Sequence, residues 1–130
     1  MKSIDLIELG YLSTLEIIGE GSIDLLQGQI TSDMAKVTDS QNCLGALCNV
    51  KGKVESSFLI IKKPEFENGF LLIGNREVMK TTENILQKYS PFYKLEMRIN
   101  DDFRFIAIDE GFLSLTFPET DLNLQVQVHE

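Results

Sequence analysis

The side chains of this chain whose types and grouping could do chemistry fall in two short segments. The first is Leu25-Leu26-Gln27-Gly28-Gln29-Ile30-Thr31-Ser32-Asp33, and the second runs from Cys48-Asn49-Val50-Lys51-Gly52-Lys53 into Val54-Glu55-Ser56-Ser57. Amides such as Gln27 and Gln29 donate and accept together, so they can pair with the polar edge of a heterocycle. Gln27 can equally face solvent or brace the loop after it. Asp33 can approach a pocket, or it can cap a local turn through its carboxylate. Lys51 and Lys53 offer charge to an anion, or they simply solvate the tip of a hairpin. Ser56 and Ser57 are hydroxyls without a base beside them, and such hydroxyls are weak nucleophiles.

Other chemistry lacks its residues. The single histidine, His129, stands next to Glu130, so no Ser-His-Asp triad can be assembled around it. One histidine and two cysteines cannot build a zinc site of ordinary spacing. Cys43 and Cys48 lie at opposite parity, so on a strand they would face opposite ways and share neither a metal nor a bridge. The expectation for both is a buried structural thiol. The glycines match neither a dinucleotide fingerprint nor a phosphate-binding loop. No metal is expected.

At 130 residues the chain has the size of one domain, residues 1–130, with a modest core. A net charge of -8 argues against direct nucleic-acid binding, which needs clustered Lys and Arg, and against an anionic membrane surface. The first residues, Met1 to Glu8, carry acids where a signal peptide needs unbroken apolar chain. No stretch approaches the about 18 apolar residues of a membrane span. The expected location is the cytoplasm.

Hydrophobic spacing supplies the scaffold that must position the two segments. Thr14 to Ile18 alternates as a strand ended by Gly19-Glu20-Gly21. Ser22 is placed to cap a helix over Ile23 to Gln27, with Ile23, Leu26 and Ile30 facing the core and Gly28 ending or bending it. Cys43–Cys48 and Val54–Ile61 read as two strands of a hairpin whose tip is Asn49 to Lys53, with Gly52 free to take positive φ. A third strand, Phe70 to Gly74, leads to Asn75, the cap of a helix over Arg76 to Tyr89 that Pro91 stops. Its stripe of Val78, Met79, Ile85, Leu86 and Tyr89 reads as core. Lys94–Ile99 and Phe103–Ile108 read as strands joined by a turn at Asn100-Asp101-Asp102. Phe112–Phe117 and Leu122–Val128 are weaker strands. The fold class is α+β: an antiparallel sheet with the helices packed on one face.

The first segment is similar to a "Leu-Gln-Gly-Gln-Val-Thr-x-Asp" element. Leu44-Gly45-Ala46-Leu47-Cys48-Asn49-Val50-Lys51-Gly52-Lys53-Val54 is similar to an "Ala-x-Cys-Asp-x-Lys-Gly-Lys" hairpin. Gly69-Phe70 and Lys88-Tyr89-Ser90-Pro91-Phe92 follow in matching order. Together these resemble the N-terminal part of the folate-binding YgfZ proteins, relatives of the glycine-cleavage T-protein (aminomethyltransferase). The resemblance covers roughly residues 12–110. It implies a first portion of a larger ring around a tetrahydrofolate pocket. It also implies a role in assembly or repair of iron–sulfur proteins, and through them in tRNA modification, with no direct tRNA contact.

Two departures from the family pattern follow. Its members are much longer, and their Lys-Gly-Cys motif has no match here, so the chain reads as a fragment, a short form, or one half of a split protein. Family proteins can also present a tryptophan that stacks on folate near the start of the first strand. This chain has no Trp, and the matching position is Leu12, beside Tyr11. A tyrosine ring can stack on a pterin with less area, and leucine offers only apolar contact. The T-protein has paired aspartates where Ser56 and Ser57 stand here, so the resemblance implies binding without catalysis. The folate-binding residues it points to are Tyr11, Leu12, Gln27, Asp33, Lys51, Lys53, Ser56 and Ser57. The competing readings are an interaction module, with a half-ring that pairs with itself or with a separate C-terminal half, and an aminomethyltransferase.

Overall fold

The structure, a computed structural model, describes residues 7–63 and 65–107. The strands expected after Phe112, and His129, lie outside the described residues. The elements are β1 (Ile7–Glu8), β2 (Leu12–Ile18), α1 (Ser22–Gln29), β3 (Cys43–Cys48), β4 (Val54–Lys62), β5 (Gly69–Asn75), α2 (Arg76–Gln87), β6 (Glu96–Asn100) and β7 (Ile106–Ala107). Single 3-10 turns sit at Met34–Lys36 and Ser90–Phe92. Five strands form one antiparallel sheet in the order β3-β4-β5-β2-β6, and β1 pairs with β7 beside it. This is the antiparallel α+β architecture that short turns between strands imply.

Side chains alternate across a strand, so each strand serves two faces. On the first face, Leu15 and Ile17 of β2 lie opposite Leu72 and Phe70 of β5, and opposite Ile99 and Met97 of β6. Phe58 and Ile60 of β4 and Leu47 of β3 extend this layer. Both helices cover it, α1 through Leu26 and α2 through Met79 and Leu86, all fully buried. On the second face, Ile61, Leu71 and Ile73 are buried under Leu12, Leu59, Phe103 and Phe105.

Asn75 starts α2 as expected: its Oδ1 accepts the Glu77 amide at 3.0 Å. The buried residues of α2 include Thr82, between Met79 and Leu86. Tyr89 falls beyond the helix and is 38% exposed, so it does not join the core stripe. The first helix departs further from its sequence pattern. Ser22 does not cap it; its hydroxyl is buried and donates to the Asn68 carbonyl at 3.4 Å, leaving Gly21 as the N-cap. Ile23 is exposed, while Leu25 and Leu26 are buried, because α1 rests on the sheet through that adjacent pair. The helix passes through Gly28 and closes with the Ile30 amide donating to the Leu26 carbonyl at 3.0 Å.

The expected hairpin at Asn100-Asp101-Asp102 does not form. Asn100 Oδ1 takes the Asp102 amide at 3.0 Å, and the chain turns across the second face. Phe103 and Phe105 are two residues apart and fall on one side of extended chain, where they cover Ile61, Leu71 and Ile73. Only then does the chain pair, through β7, with β1. Burying two rings outweighs continuing a ladder beside β6. Among the described residues no helix is long and apolar enough to cross a membrane.

One carboxylate sits inside the second face. Glu16 of β2 is 5% exposed. Its Oε2 accepts Lys63 Nζ at 2.7 Å and Asn100 Nδ2 at 3.3 Å, and its Oε1 accepts Arg98 Nε at 3.2 Å. Burial by itself pushes its pKa up, but the Lys63, Asn100 and Arg98 donors outweigh burial and hold it below the ordinary 4.5. The hydroxyl of Thr14, on the same face, is buried without a hydrogen-bond partner.

A depressed carboxylate contributes stability above its unfolded pKa and loses it as pH falls through the folded value. Urea unfolding at a series of pH values should therefore show a Glu16 contribution that is full at neutrality and declines below about pH 4.5. Glu16→Ala should cost about 2–4 kcal/mol at pH 7, because it leaves the largely buried Lys63 ammonium with only the exposed Glu65 carboxylate at 3.7 Å, and should flatten that acid limb. Leu15→Ala, fully buried in the first layer, should cost about 2–5 kcal/mol in the same assay with no change in pH dependence.

Candidate functional site

The two motif segments, distant in sequence, are hydrogen-bonded to each other. Past the end of α1, Ile30 bridges Leu47 of β3. The Thr31 amide donates to the Ala46 carbonyl at 2.9 Å, and the Ala46 amide returns to Thr31 Oγ1 at 3.1 Å. Ser32 Oγ donates to the Leu44 carbonyl at 2.6 Å. The first segment thus covers the outer edge of β3, which would otherwise offer open backbone groups. Gly45 permits the approach, since a Cβ there would lie 2.7 Å from Ser32 Oγ and 2.8 Å from Ile60 Cδ1.

The hairpin tip is organised by Asn49. Its Oδ1 accepts the amides of Lys51 at 2.9 Å and Lys53 at 3.0 Å, and Gly52 takes φ 81° to close the turn. The backbone of both lysines is tied down, and both residues are exposed, as is Val50 before them. A bulge between Leu47 and Cys48 shifts the β3–β4 register just before this tip.

The folded chain separates the two serines. Ser56 is buried on the helix-covered face, with Oγ 2.8 Å from Thr82 Oγ1. Ser57 points the other way and is exposed. Its row can be followed across the sheet. Ala46 pairs with Ser57, and Leu12 pairs with Asn75. Leu59–Ile73 is the last pair of the β4–β5 ladder, and extending its register two residues further sets Ser57 opposite Asn75. Ala46, Ser57, Asn75 and Leu12 therefore cross the second face in one line, with Leu12 and Ser57 about 10 Å apart, two strand spacings. Asn75 spends its side-chain oxygen on the α2 cap; Ser57 is exposed, and Leu12 is half-buried in the cluster with Phe103 and Phe105.

Tyr11 is 58% exposed just before β2, and its carbonyl accepts the Arg76 amide. Gln27 and Asp33 stand behind the β3 edge. Gln27 Oε1 accepts the Met34 amide at 2.9 Å, and Asp33 Oδ1 accepts the Ala35 amide at 3.0 Å, capping the 3-10 turn. Leu12 and Ser57 thus belong to the second face, Ser56 to the helix-covered face, the lysines to the tip beyond the β3–β4 pairing, and Gln27 and Asp33 to local turns. The cysteines are not the buried pair expected: Cys43 is half-buried and Cys48 is exposed, because Cys48 lies at the bulge where the hairpin leaves the core. Among the described residues no cluster of His, Cys, Asp or Glu could hold a metal.

Three features escape the sequence reading. The Ser56–Thr82 hydroxyl pair links residues far apart in the chain, and no spacing rule signals it. Phe103 and Phe105 were legible only as alternating apolar positions. The third feature is a polar group at the start of α2, where Ser13 Oγ donates to Asp101 Oδ1 at 2.7 Å and Arg76 Nη1 lies 2.8 Å from the same oxygen. The Ser13 hydrogen bond and the Arg76 guanidinium hold the Asp101 carboxyl below the usual range against a smaller effect of burial.

No family model matches the chain. Sequence comparison finds proteins named tRNA-modifying protein YgfZ. That of Klebsiella pneumoniae is 35% identical over 92 residues, covering 71% of this chain and 27% of the relative. That of Colwellia psychrerythraea is 33% identical over 103 residues, or 79% and 31%. That of Aliivibrio fischeri (strain ES114) is 26% identical over 128 residues, or 98% and 39%. The chain thus spans about a third of the length of the curated relatives it matches. Among solved structures, the glycine cleavage system aminomethyltransferase T from Bartonella henselae superposes with a TM-score of 0.67 at 14% identity, over 74% of this chain and 26% of that one. The sequence match thus supports a YgfZ-type chain over the part of those proteins that it spans, and the solved structure shows that it has the T-protein fold.

Proposed function

We propose that this chain is a non-catalytic, tetrahydrofolate-binding part of a YgfZ-type protein, serving the assembly or repair of iron–sulfur proteins in the cytoplasm and, through them, tRNA modification. The observation that supports the reading is the line of Leu12 and Ser57 across the second face, with β4 running from Ser57 back to the Lys51–Lys53 tip. A flat pterin would lie against Leu12, with Tyr11 at its rim. The glutamate tail of the folate would run toward the lysines, whose charge suits it. Ser57 offers a hydroxyl where the T-protein relative has a carboxylate. Such a group can hydrogen-bond a ring nitrogen but cannot manage its proton at neutral pH. Ser56 faces the helices, bonded to Thr82, and takes no part.

An interaction reading draws on a different observation. Leu44 is 79% exposed and Val54 57% exposed near the hairpin, which suits contact with a second copy or with a separate C-terminal half. Folate can bind at such a junction, so the two readings are compatible in one assembly.

Isothermal titration with tetrahydrofolate should give saturable heat with the unmodified chain. The double variant Lys51→Ala/Lys53→Ala should weaken binding about three- to tenfold at low salt, with the difference shrinking as salt is raised. No heat at high micromolar ligand would remove the reading of a self-sufficient site. A folate-dependent aminomethyl-transfer assay should give no turnover, and product formation would restore the enzyme reading.

A further inference from the structure

The face that carries Leu12 is partly covered by the chain itself. Residues 101–107 leave β6, cross the apolar cluster of Ile61, Leu71 and Ile73, and end in β7. Along its middle this strap is held by packing: Phe103 and Phe105 share one cluster with Leu12 and Leu59, and Lys63 Nζ sits 5.9 Å from the Phe103 ring centroid. At its far end it is held by the Leu9 amide donating to the Phe105 carbonyl at 2.7 Å and by the short β1–β7 pairing. At its near end it is held by the Asn100 Oδ1–Asp102 amide hydrogen bond and by the Asp101 carboxylate, the exposed one of these two contacts. Asp101 Oδ1 receives both Ser13 Oγ and Arg76 Nη1. The same guanidinium, through Nη2, donates to the carbonyls of Gly10 and Leu12 at 3.2 Å each. One arginine therefore ties the root of the strap to the backbone of Leu12. Asp101 and Arg76 are each 52% exposed, so water and salt compete with this contact as they do not at Glu16.

We propose that residues 101–107 are a latched cover over the apolar end of the second face: Asp101 is the latch, Phe103 and Phe105 are the lid, and a flat heterocycle reaches Leu12 only when the latch is open. The inference rests on the reading of this face as the binding surface. It goes beyond that reading by making access depend on a contact that binds no ligand. Two rings already occupy the apolar surface beside Leu12, so an incoming ring must displace or shift them. Release of Asp101 loosens the near end of the strap, leaving there the Asn100–Asp102 hydrogen bond, and keeps the five-stranded ladder intact.

Hydrogen exchange followed by mass spectrometry reads the latch. In Asp101→Ala, the amides of the strap and of Leu9 should exchange about tenfold faster, while β4 and β5 keep their protection. Asp101→Asn keeps an acceptor for Ser13 but loses the charge facing Arg76, and should fall between. High salt should loosen the same peptides in the unmodified chain, which tests the latch should the alanine variant fold poorly. Strap exchange that is unchanged, or that rises evenly across the sheet, overturns the proposal. Titration with tetrahydrofolate reads the lid: Asp101→Ala should bind several-fold more tightly than the unmodified chain. Equal affinity despite an opened strap overturns the cover. Absence of binding to either protein defeats the folate reading instead, and the cover is then decided by anilinonaphthalene sulfonate. More dye fluorescence in Asp101→Ala supports it, and no increase overturns it.

Discussion

A carboxylate inside the sheet is the constraint from which the layout of the second face follows. β2 has strands on both sides and is covered on both faces, so Glu16 has no route to water. A buried charge is tolerable only when paired and fully hydrogen-bonded. Lys63 just after β4, and Arg98 and Asn100 on β6, supply the donors. Their positions consign one end of the face to polar contacts and leave the other to Leu12, Leu59 and the two phenylalanines. The same clustering joins the β4–β5 connection to the sheet edge at β6. Glu16 therefore acts as a cross-link between chain segments as well as a charge.

The opposite edge is organised without charge. β3 would present open backbone groups, and the segment after α1 closes them with one backbone bond, one threonine oxygen and one serine hydroxyl. Gln27 and Asp33 hold that segment in shape through the Met34 and Ala35 amides. The two motifs that mark the family are thus one structural unit. Its physical product is a rigid hairpin whose lysine-bearing tip stands clear of the core. Chemistry on this scaffold depends on which face a β4 residue serves. Alternation sends Ser56 to the helices and Ser57 to the open side, so neighbours in sequence have unrelated surroundings.

Much of this architecture was legible beforehand. Alternation marked β2, apolar runs on either side of turn residues marked β3 and β4, and Asn75 before a helical stripe marked the start of α2. Asn49-Val50-Lys51-Gly52-Lys53 carried the turn chemistry that the hairpin uses. These signals are local: each depends on backbone preferences and on burial repeated within a few residues. Ser22 misled because its hydroxyl found the Asn68 carbonyl across the fold. The Asn100-Asp101-Asp102 turn misled because Phe103 and Phe105 had a better surface to bury than the edge of β6 offered. Cys48 misled because a bulge takes it out of the regular alternation.

The amino-acid sequence by itself determined the element types, the antiparallel character of the sheet and the resemblance to YgfZ proteins, since periodicity, caps and turn residues act over short stretches of chain. Only the tertiary structure decided that Leu12 and Ser57 share a face, that Ser56 does not, and that Phe103 and Phe105 pack over the neighbouring surface. Those outcomes depend on strand order and register, and on contacts between residues such as Ser13 and Asp101 that lie 88 positions apart. Pairings of that range are settled by which apolar faces bury one another and which buried polar atoms find partners, quantities that exist only once the chain has closed on itself.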